Sequence, residues 1–314
     1  MLVVTSGHPY LDIDAYGGCT AYAELVQTQG KAAIAASSAT WNESITRTIR
    51  GWQTGLVTDY HAGPEDTFIL IDVSDPAQFD PLAAPERIVG IIDHHPGKEL
   101  FWEERLGTAA RIERIGAAST QVYEAWQAAG LSGHISATSA RLLATGILDN
   151  TLNFSALVTT PRDHAAYQAL MHKAGLPDSW PAQYFRECHQ AILADITTAL
   201  ANDTKLLTFT HFPGQIAVGQ LVVWNAGKIL TGHLQALTEA MQAKQCAGWF
   251  VNMVSIEEGR SYFVCDDPAV QHWLHTMLGI TFDHRIAPAS RLWLRKEILR
   301  HALETAAPEA ARAT

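Results

Sequence analysis

The stretch RIVGIIDHHPG, Arg87–Gly97, decides how the chain is read. Its first part is a mostly apolar run ending on Asp93, and two histidines follow before Pro96 and Gly97 break the pattern. A short continuous apolar run bounded by turn residues suits a strand buried on both faces, as in a parallel sheet covered by helices. TFILIDV at Thr67–Val73 reads the same way, with Asp72 near its end. Outward from these two, Leu2–Thr5 and Ala32–Ala36 read as further strands. Gly17–Gln29, Ser119–Ala129 and Ser136–Ile147 carry apolar residues at helical spacing. The alternation predicts an α/β domain built on a mainly parallel sheet.

Ligands of such sheets bind beyond the carboxyl ends of the strands. His8, Asp12 and Asp14 follow the first strand, Asp72 lies near the end of another, and Asp93-His94-His95 ends a third. Asp149 closes the apolar run Leu142–Leu148. Crowded carboxylates raise one another's pKa, and a bound cation is a common remedy. Mixed His and Asp donors suit Mn, Fe, Co or Zn better than calcium. Two such ions can clamp the attacking and leaving oxygens of an in-line displacement at phosphorus. Each residue taken alone also has a plainer reading. Asp12 or Asp14 could cap the following helix. Asp75 competes with Asp72, though Asp72 directly follows the apolar run, and Asp163 competes with Asp149 but reads as part of a helix start. Ser119 and Thr120 read as an N-cap, because no strained G-x-S-x-G elbow surrounds them.

The second half changes character. Pro161–Asp195 reads as helical with breaks at Gly175 and Pro177–Pro181. Lys205–Thr210, Gln215–Val223, Gly248–Val254 and Ser261–Cys265 read as strands, and Leu234–Ala243 and Pro268–Met277 as helices. The expected organisation is a first domain over 1–190, a hinge at 191–200, a smaller α+β domain over 201–304 and a disordered tail at 305–314.

At 314 residues, two domains with respectable cores are expected. The 22 Lys and Arg against 32 Asp and Glu give a net charge of -10, a balance that does not draw nucleic acid by bulk charge. Cys19, Cys188, Cys246 and Cys265 form no C-x-x-C pair, which argues against a thiolate zinc site and for reduced thiols. The N-terminus lacks the basic and apolar regions of a signal peptide, and no apolar run is long enough for a membrane span. The expectation is a cytoplasmic protein with no membrane partner. Association as a homodimer is left open.

Four motifs in order then carry a resemblance. IIDHHPG at Ile91–Gly97 has the Asp-His-His signature of the DHH phosphoesterase superfamily, and GHPYLDID at Gly7–Asp14 resembles its first motif. ILIDVSD at Ile69–Asp75 and GILDNTLNF at Gly146–Phe154 resemble the second and fourth. Within the superfamily the chain is most similar to manganese-dependent, family II inorganic pyrophosphatases and their exopolyphosphatase and prune-like relatives. Those proteins have a second domain of the DHHA2 type. QIAVGQLVVW, the stretch from Trp249 to Cys265 and the late WLRKEIL look similar to it. The glycine-rich motif of the alternative DHHA1 domain is not found.

The resemblance implies a DHH domain followed by a smaller DHHA2-like domain. It implies two divalent metal ions, Mn first, with Mg or Co as alternatives. His8 and Asp12 would hold one, Asp14, His94 and Asp149 the other, and Asp72 would bridge them. His95 would contact the substrate phosphate or leaving oxygen, with Asp93 orienting a histidine. Lys205, Arg295 and Lys296 would bind a small phosphorylated substrate. The implied activity is hydrolysis of a phosphoanhydride, pyrophosphate or short polyphosphate, by a metal-bridging hydroxide. Pyrophosphatases of this type carry Ser-Arg-Lys-Lys-Gln late in the chain, whereas Leu294–Ile298 here reads Leu-Arg-Lys-Glu-Ile. The positive charge replaced by Glu297 leaves a longer polyphosphate or a nucleotide open. A phosphodiesterase or exonuclease acting on nucleotides is one alternative. A non-catalytic metal- or nucleotide-binding regulator is another. Trp224, Trp249, Trp273 and Trp293 read as core, and His189 is the most notable histidine outside the motifs.

Overall fold

The computed structural model describes residues 1–8, 10–210 and 212–310. The chain divides into two compact units, Met1–Pro181 and Ala182–Thr314.

The first unit opens with β1 (Leu2–Thr5), β2 (Tyr10–Leu11), α1 (Ile13–Thr28), β3 (Ala33–Ala35), β4 (Thr40–Trp41) and α2 (Arg47–Arg50). It continues through β5 (Thr67–Ile71), β6 (Ile88–Asp93), α3 (Glu99–Leu106), β7 (Ala110–Ile112), α4 (Ala118–Ala128), α5 (Ala137–Asn150) and α6 (Pro161–Ala174). Five strands make one parallel sheet in the order β3-β1-β5-β6-β7. The continuous apolar runs are explained by burial on both faces. Val4, Ile69, Ile71 and Ile92 pack with residues of α1, α4, α5 and α6. Val3, Phe68, Leu70 and Ile91 alternate to the other face and pack with Trp102 of α3. At roughly 1.5–3 kcal/mol for each fully buried large apolar side chain, these two layers dominate the unit's stability.

α7 (Trp180–Ala194) crosses the division between the units, and α8 (Ile196–Asn202) follows. The division falls before the 191–200 hinge expected from sequence, and that stretch is largely helical. The second unit then contains β8 (Thr204–Thr208), β9 (Gln215–Val223), α9 (Ala226–Gln242), β10 (Gly248–Ser255), β11 (Arg260–Val264), α10 (Pro268–Leu278), β12 (Ile286–Pro288) and α11 (Arg295–Ala310). Its sheet runs β12-β11-β10-β9-β8, with β9 and β10 parallel and the other neighbours antiparallel. The α/β first unit and the α+β second unit both hold. Residues 305–310, expected to be a disordered tail, continue α11, and residues 311–314 lie outside the described residues. Trp249 is in the core layer on one face of this sheet, and Trp273 and Trp293 are half-buried against the layer on the other. Trp224 is half-buried beneath the Arg186 guanidinium, 4.9 Å from the ring centre.

All four cysteines are free thiols. Among the described residues no helix is long and apolar enough to cross a membrane.

Three segments of the first unit are tied by charge at the surface. Arg162 of α6 lies 2.6 Å from both Glu113 and Glu124, and Arg111 of β7 lies 3.2 Å from both. Burial acts to raise the Glu113 pKa, but the hydrogen bonds and charges of Arg162, then Arg111, outweigh it and hold the group below the ordinary glutamate range. A depressed folded pKa adds stability above the unfolded value, and that stability is lost as pH falls through the folded one. Glu113→Gln should therefore melt below the wild type at pH 7, with the gap closing in strong acid. Paired melting curves by circular dichroism check this.

Candidate metal centre

β5 and β6 lie side by side, so their carboxyl ends bring Asp72 and Asp93-His94-His95 together. One ligand atom from each of these four residues lies within 4.8 Å of those of the other three. Asp72 directly follows β5 and has φ of 62°, a left-handed conformation that Asp tolerates better than most residues. Its amide donates to Ile92 O at 2.8 Å, which fixes the turn against the next strand.

Asp93 ends β6 and is fully buried. Its Oδ1 accepts the His94 amide at 2.7 Å and the His95 amide at 3.2 Å, and lies 2.8 Å from His95 Nδ1. Burial pushes its pKa up, yet the charge and hydrogen bond of His95, followed by hydrogen bonds from Ser74 and His94, hold it below the ordinary range. The carboxylate thus fixes the orientation of the His95 ring. The His94 ring is wholly buried. Its Nε2 lies 3.0 Å from Asp72 Oδ1 and 3.9 Å from Asp14 Oδ2.

Asp14 stands in the first turn of α1 and is itself fully buried. Its two oxygens accept the Ala118 and Ser119 amides at 2.8 Å each. These are the first N–H groups of α4, a site that favours a carboxylate. The α4 N-cap residue is Ala117, not Ser119 or Thr120 as expected, and it makes no side-chain cap. The carboxylate of Asp14 takes that role from another helix. The Thr120 hydroxyl instead donates to Asp163 at 2.6 Å. Asp163 forms the capping box of α6 with Thr160.

The remaining sequence-predicted residues sit on adjoining elements. His8 is exposed in the turn after β1. Asp12 is the N-cap of α1, its Oδ1 accepting the Ala15 amide at 2.9 Å. Asp149 is in the last turn of α5, one turn on from Gly146. A Cβ at Gly146 would lie 2.5 Å from Ser119 Oγ and 3.1 Å from the Asp14 Cα, so α5 approaches Asp14 only because this residue has no side chain. Beyond Asp149 the chain turns through Leu152, Asn153 and Phe154, all left-handed, with φ of 51°, 52° and 63°. Such residues cost about 1–2 kcal/mol each. The turn is held by Asn153 N donating to Leu148 O at 2.9 Å and Ala156 N to Thr151 O at 2.9 Å.

In the second unit, Lys205 is in β8 opposite Val218. Arg295 and Lys296 begin α11, and both are mostly buried. The Arg295 guanidinium reaches Asp203 Oδ1 at 2.5 Å and Asp203 O at 2.8 Å. Glu297 turns back on its own helix start, where Oε2 accepts the Leu294 amide at 2.9 Å and Arg291 Nη1 at 3.2 Å. This is the glutamate half of a capping box.

Sequence reading missed the supporting residues. Ser74 bonds Asp93. Buried Gln121 of α4 donates to Asp93 O at 2.7 Å. Ser74 was visible as the polar residue two positions past Asp72; Gln121 and Gly146 had no local signal.

The buried donors of this centre suit a divalent cation. An imidazole between two carboxylates offers nitrogen and oxygen ligands, and packing those carboxylates together is costly without a positive charge. All of them lie at the carboxyl edge of a parallel sheet.

Residues 2–147, somewhat under half the chain, match the DHH family, N-terminal domain. A Deinococcus radiodurans protein named "Probable manganese-dependent inorganic pyrophosphatase" is 28% identical over 180 residues, 56% of this chain and 55% of that protein. An A-adding tRNA nucleotidyltransferase from Aquifex aeolicus is 40% identical over 111 residues, 34% of this chain and 12% of that protein. The chain thus spans about half or less of these curated relatives. A solved structure described as a "Methanococcus jannaschii putative family II inorganic pyrophosphatase" covers 98% of this chain and 99% of its own. It has a TM-score of 0.75 at 15% identity, a likeness of fold. The resemblance read from the four motifs is borne out by the family match and by these pyrophosphatase-named neighbours.

Gly146→Ala would wedge a methyl group between α5, Ser119 and Asp14. It should lower stability by about 1–3 kcal/mol. It should also weaken Mn binding by displacing Asp14. Chemical denaturation and a Mn titration followed by calorimetry check both effects.

Proposed function

We propose, on the premise that residues 2–147 are a DHH-family N-terminal domain, that this chain is a two-metal phosphohydrolase acting on pyrophosphate or short polyphosphate. The observation that carries the reading is the packing of Asp72, Asp93, His94 and His95 at the carboxyl ends of β5 and β6. Asp14, Asp72 and His94 would hold metal, joined by His8, Asp12 and Asp149. Bound Mn supplies Lewis acidity for the phosphoryl oxygens and lowers the pKa of water.

The chain's own residues do the rest. Asp93 holds the His95 ring so that it can donate to a phosphoryl or leaving oxygen. Lys205, Lys296 and Arg295 of the second unit are the cationic groups that would bind phosphate, the lysines as point charges and Arg295 through the N–H groups that Asp203 leaves over. Glu297 is committed to the Leu294 amide and Arg291, so its negative charge is already partnered and does not argue against a compact, highly charged substrate. The names of the Deinococcus and Methanococcus proteins support the same chemistry. The match to the Aquifex nucleotidyltransferase touches only 12% of that protein and favours no separate activity.

Phosphate release from pyrophosphate, tripolyphosphate and a dinucleotide, with Mn or Mg loaded, tests the reading. Rapid release from the anhydrides is expected. Release of mononucleotide alone would replace it with a phosphodiesterase, and metal binding without any turnover with a regulator. His94→Ala should abolish tight Mn binding. Asp93→Asn, which keeps the shape but loses the charge behind His95, should lower kcat about 10–100-fold.

A further inference from the structure

The second unit's sheet carries two buried polar side chains, Asn252 and Ser261, and a half-buried one, Gln220. Gln220 of β9 pairs with Asn252 of β10, and Val254, two residues on, pairs with Ser261 of β11. With a side-chain period of two, all three share one face. Asn252 stands fully buried in β10 among Phe250, Val251, Met253 and Val254.

These side chains take the backbone of the segment that enters α11. Asn252 Nδ2 donates to Trp293 O at 2.6 Å. Ser261 Oγ accepts the Trp293 amide at 2.9 Å. Gln220 Oε1 accepts the Arg295 amide at 2.7 Å. The Asn252 Oδ1 is buried with no hydrogen-bond partner among the described residues. A buried amide oxygen without a partner is destabilising and offsets part of what the Nδ2 bond to Trp293 O contributes. What sets the stripe apart is what it holds. It fixes Trp293 and Arg295 at three backbone points, while Asp203 fixes the far end of the Arg295 side chain.

We propose that Gln220, Asn252 and Ser261 are positioning residues, which set the start of α11 so that Arg295 and Lys296 meet phosphate oxygens in a fixed geometry. The inference rests on the reading of Arg295 and Lys296 as substrate-binding groups. Misplacement of such groups by about 1 Å can cost on the order of a hundredfold in rate.

The test uses the full chain loaded with Mn and pyrophosphate as substrate. Asn252→Val, which removes the donor to Trp293 O, should raise KM about tenfold, with kcat less affected. It should also speed amide hydrogen exchange across 293–296 while β9 to β11 stay protected. Exchange is read without substrate, so it reports positioning independently of turnover. Gln220→Leu should raise KM in the same way, and Gln220→Glu, which keeps an acceptor for the Arg295 amide, should restore it. This second pair decides the matter if Asn252→Val does not fold. Arg295→Ala separates the two levels of the argument. If it raises KM while Asn252→Val and Gln220→Leu leave KM unchanged, the stripe is structural only and the inference is overturned. A lower melting point with unchanged KM, or unaltered exchange at 293–296, overturns it equally. If Arg295→Ala itself leaves KM unchanged, the substrate role of Arg295 fails and the inference with it.

Discussion

The first unit depends on one buried carboxylate. Asp14 has no solvent around it, and both of its oxygens are taken by the first amides of α4. An ionised carboxylate in such a place must be compensated, and the positive end of a helix compensates it. That bond ties α1 to α4. The same residue faces the His94 ring at the end of β6 and is packed by Gly146 of α5. Three helices and the central strands are thus registered on a single charged group. The price of burying it is accepted where the candidate site lies.

The parts of the fold that were legible are those in which burial dictates composition. Parallel strands covered on both faces must be apolar throughout, and TFILI and IVGIID show it directly. β9 keeps the ends that its apolar run suggests, although Gln220 interrupts it. Short edge elements carry no such constraint. β7 is three half-buried residues, and the β2–β4 pair is two residues long on each side, too little for periodicity to register. α9 begins at Ala226, earlier than its apolar spacing suggested, because Asn225 caps it.

The candidate site divides along the same line. Asp72, Asp93, His94 and His95 were legible because polar residues closing an apolar run have few structural reasons to be there. The capping of α4 was not, because its partner comes from a helix about a hundred positions away and a local reading looks to Ser119 and Thr120. The plainer reading of Asp12 as a cap also describes what its Oδ1 does. A carboxylate has a second oxygen, so capping and ligation are compatible in one residue.

The Glu297 departure shows how a change of charge at a motif position can be absorbed locally. Read along the sequence, a glutamate after Arg295-Lys296 opposes them. In the fold, the third position of a helix lets a glutamate reach back to the N-cap amide, and Arg291 supplies the countercharge. The entry to α11 is then held twice over, by this cap within the segment and by Gln220, Asn252 and Ser261 from the sheet beneath. A surface loop would be content with water for those backbone groups. Satisfying them with side chains from three neighbouring strands, two of them buried, is the arrangement that a short cationic segment needs if its position, and not only its charge, is to matter.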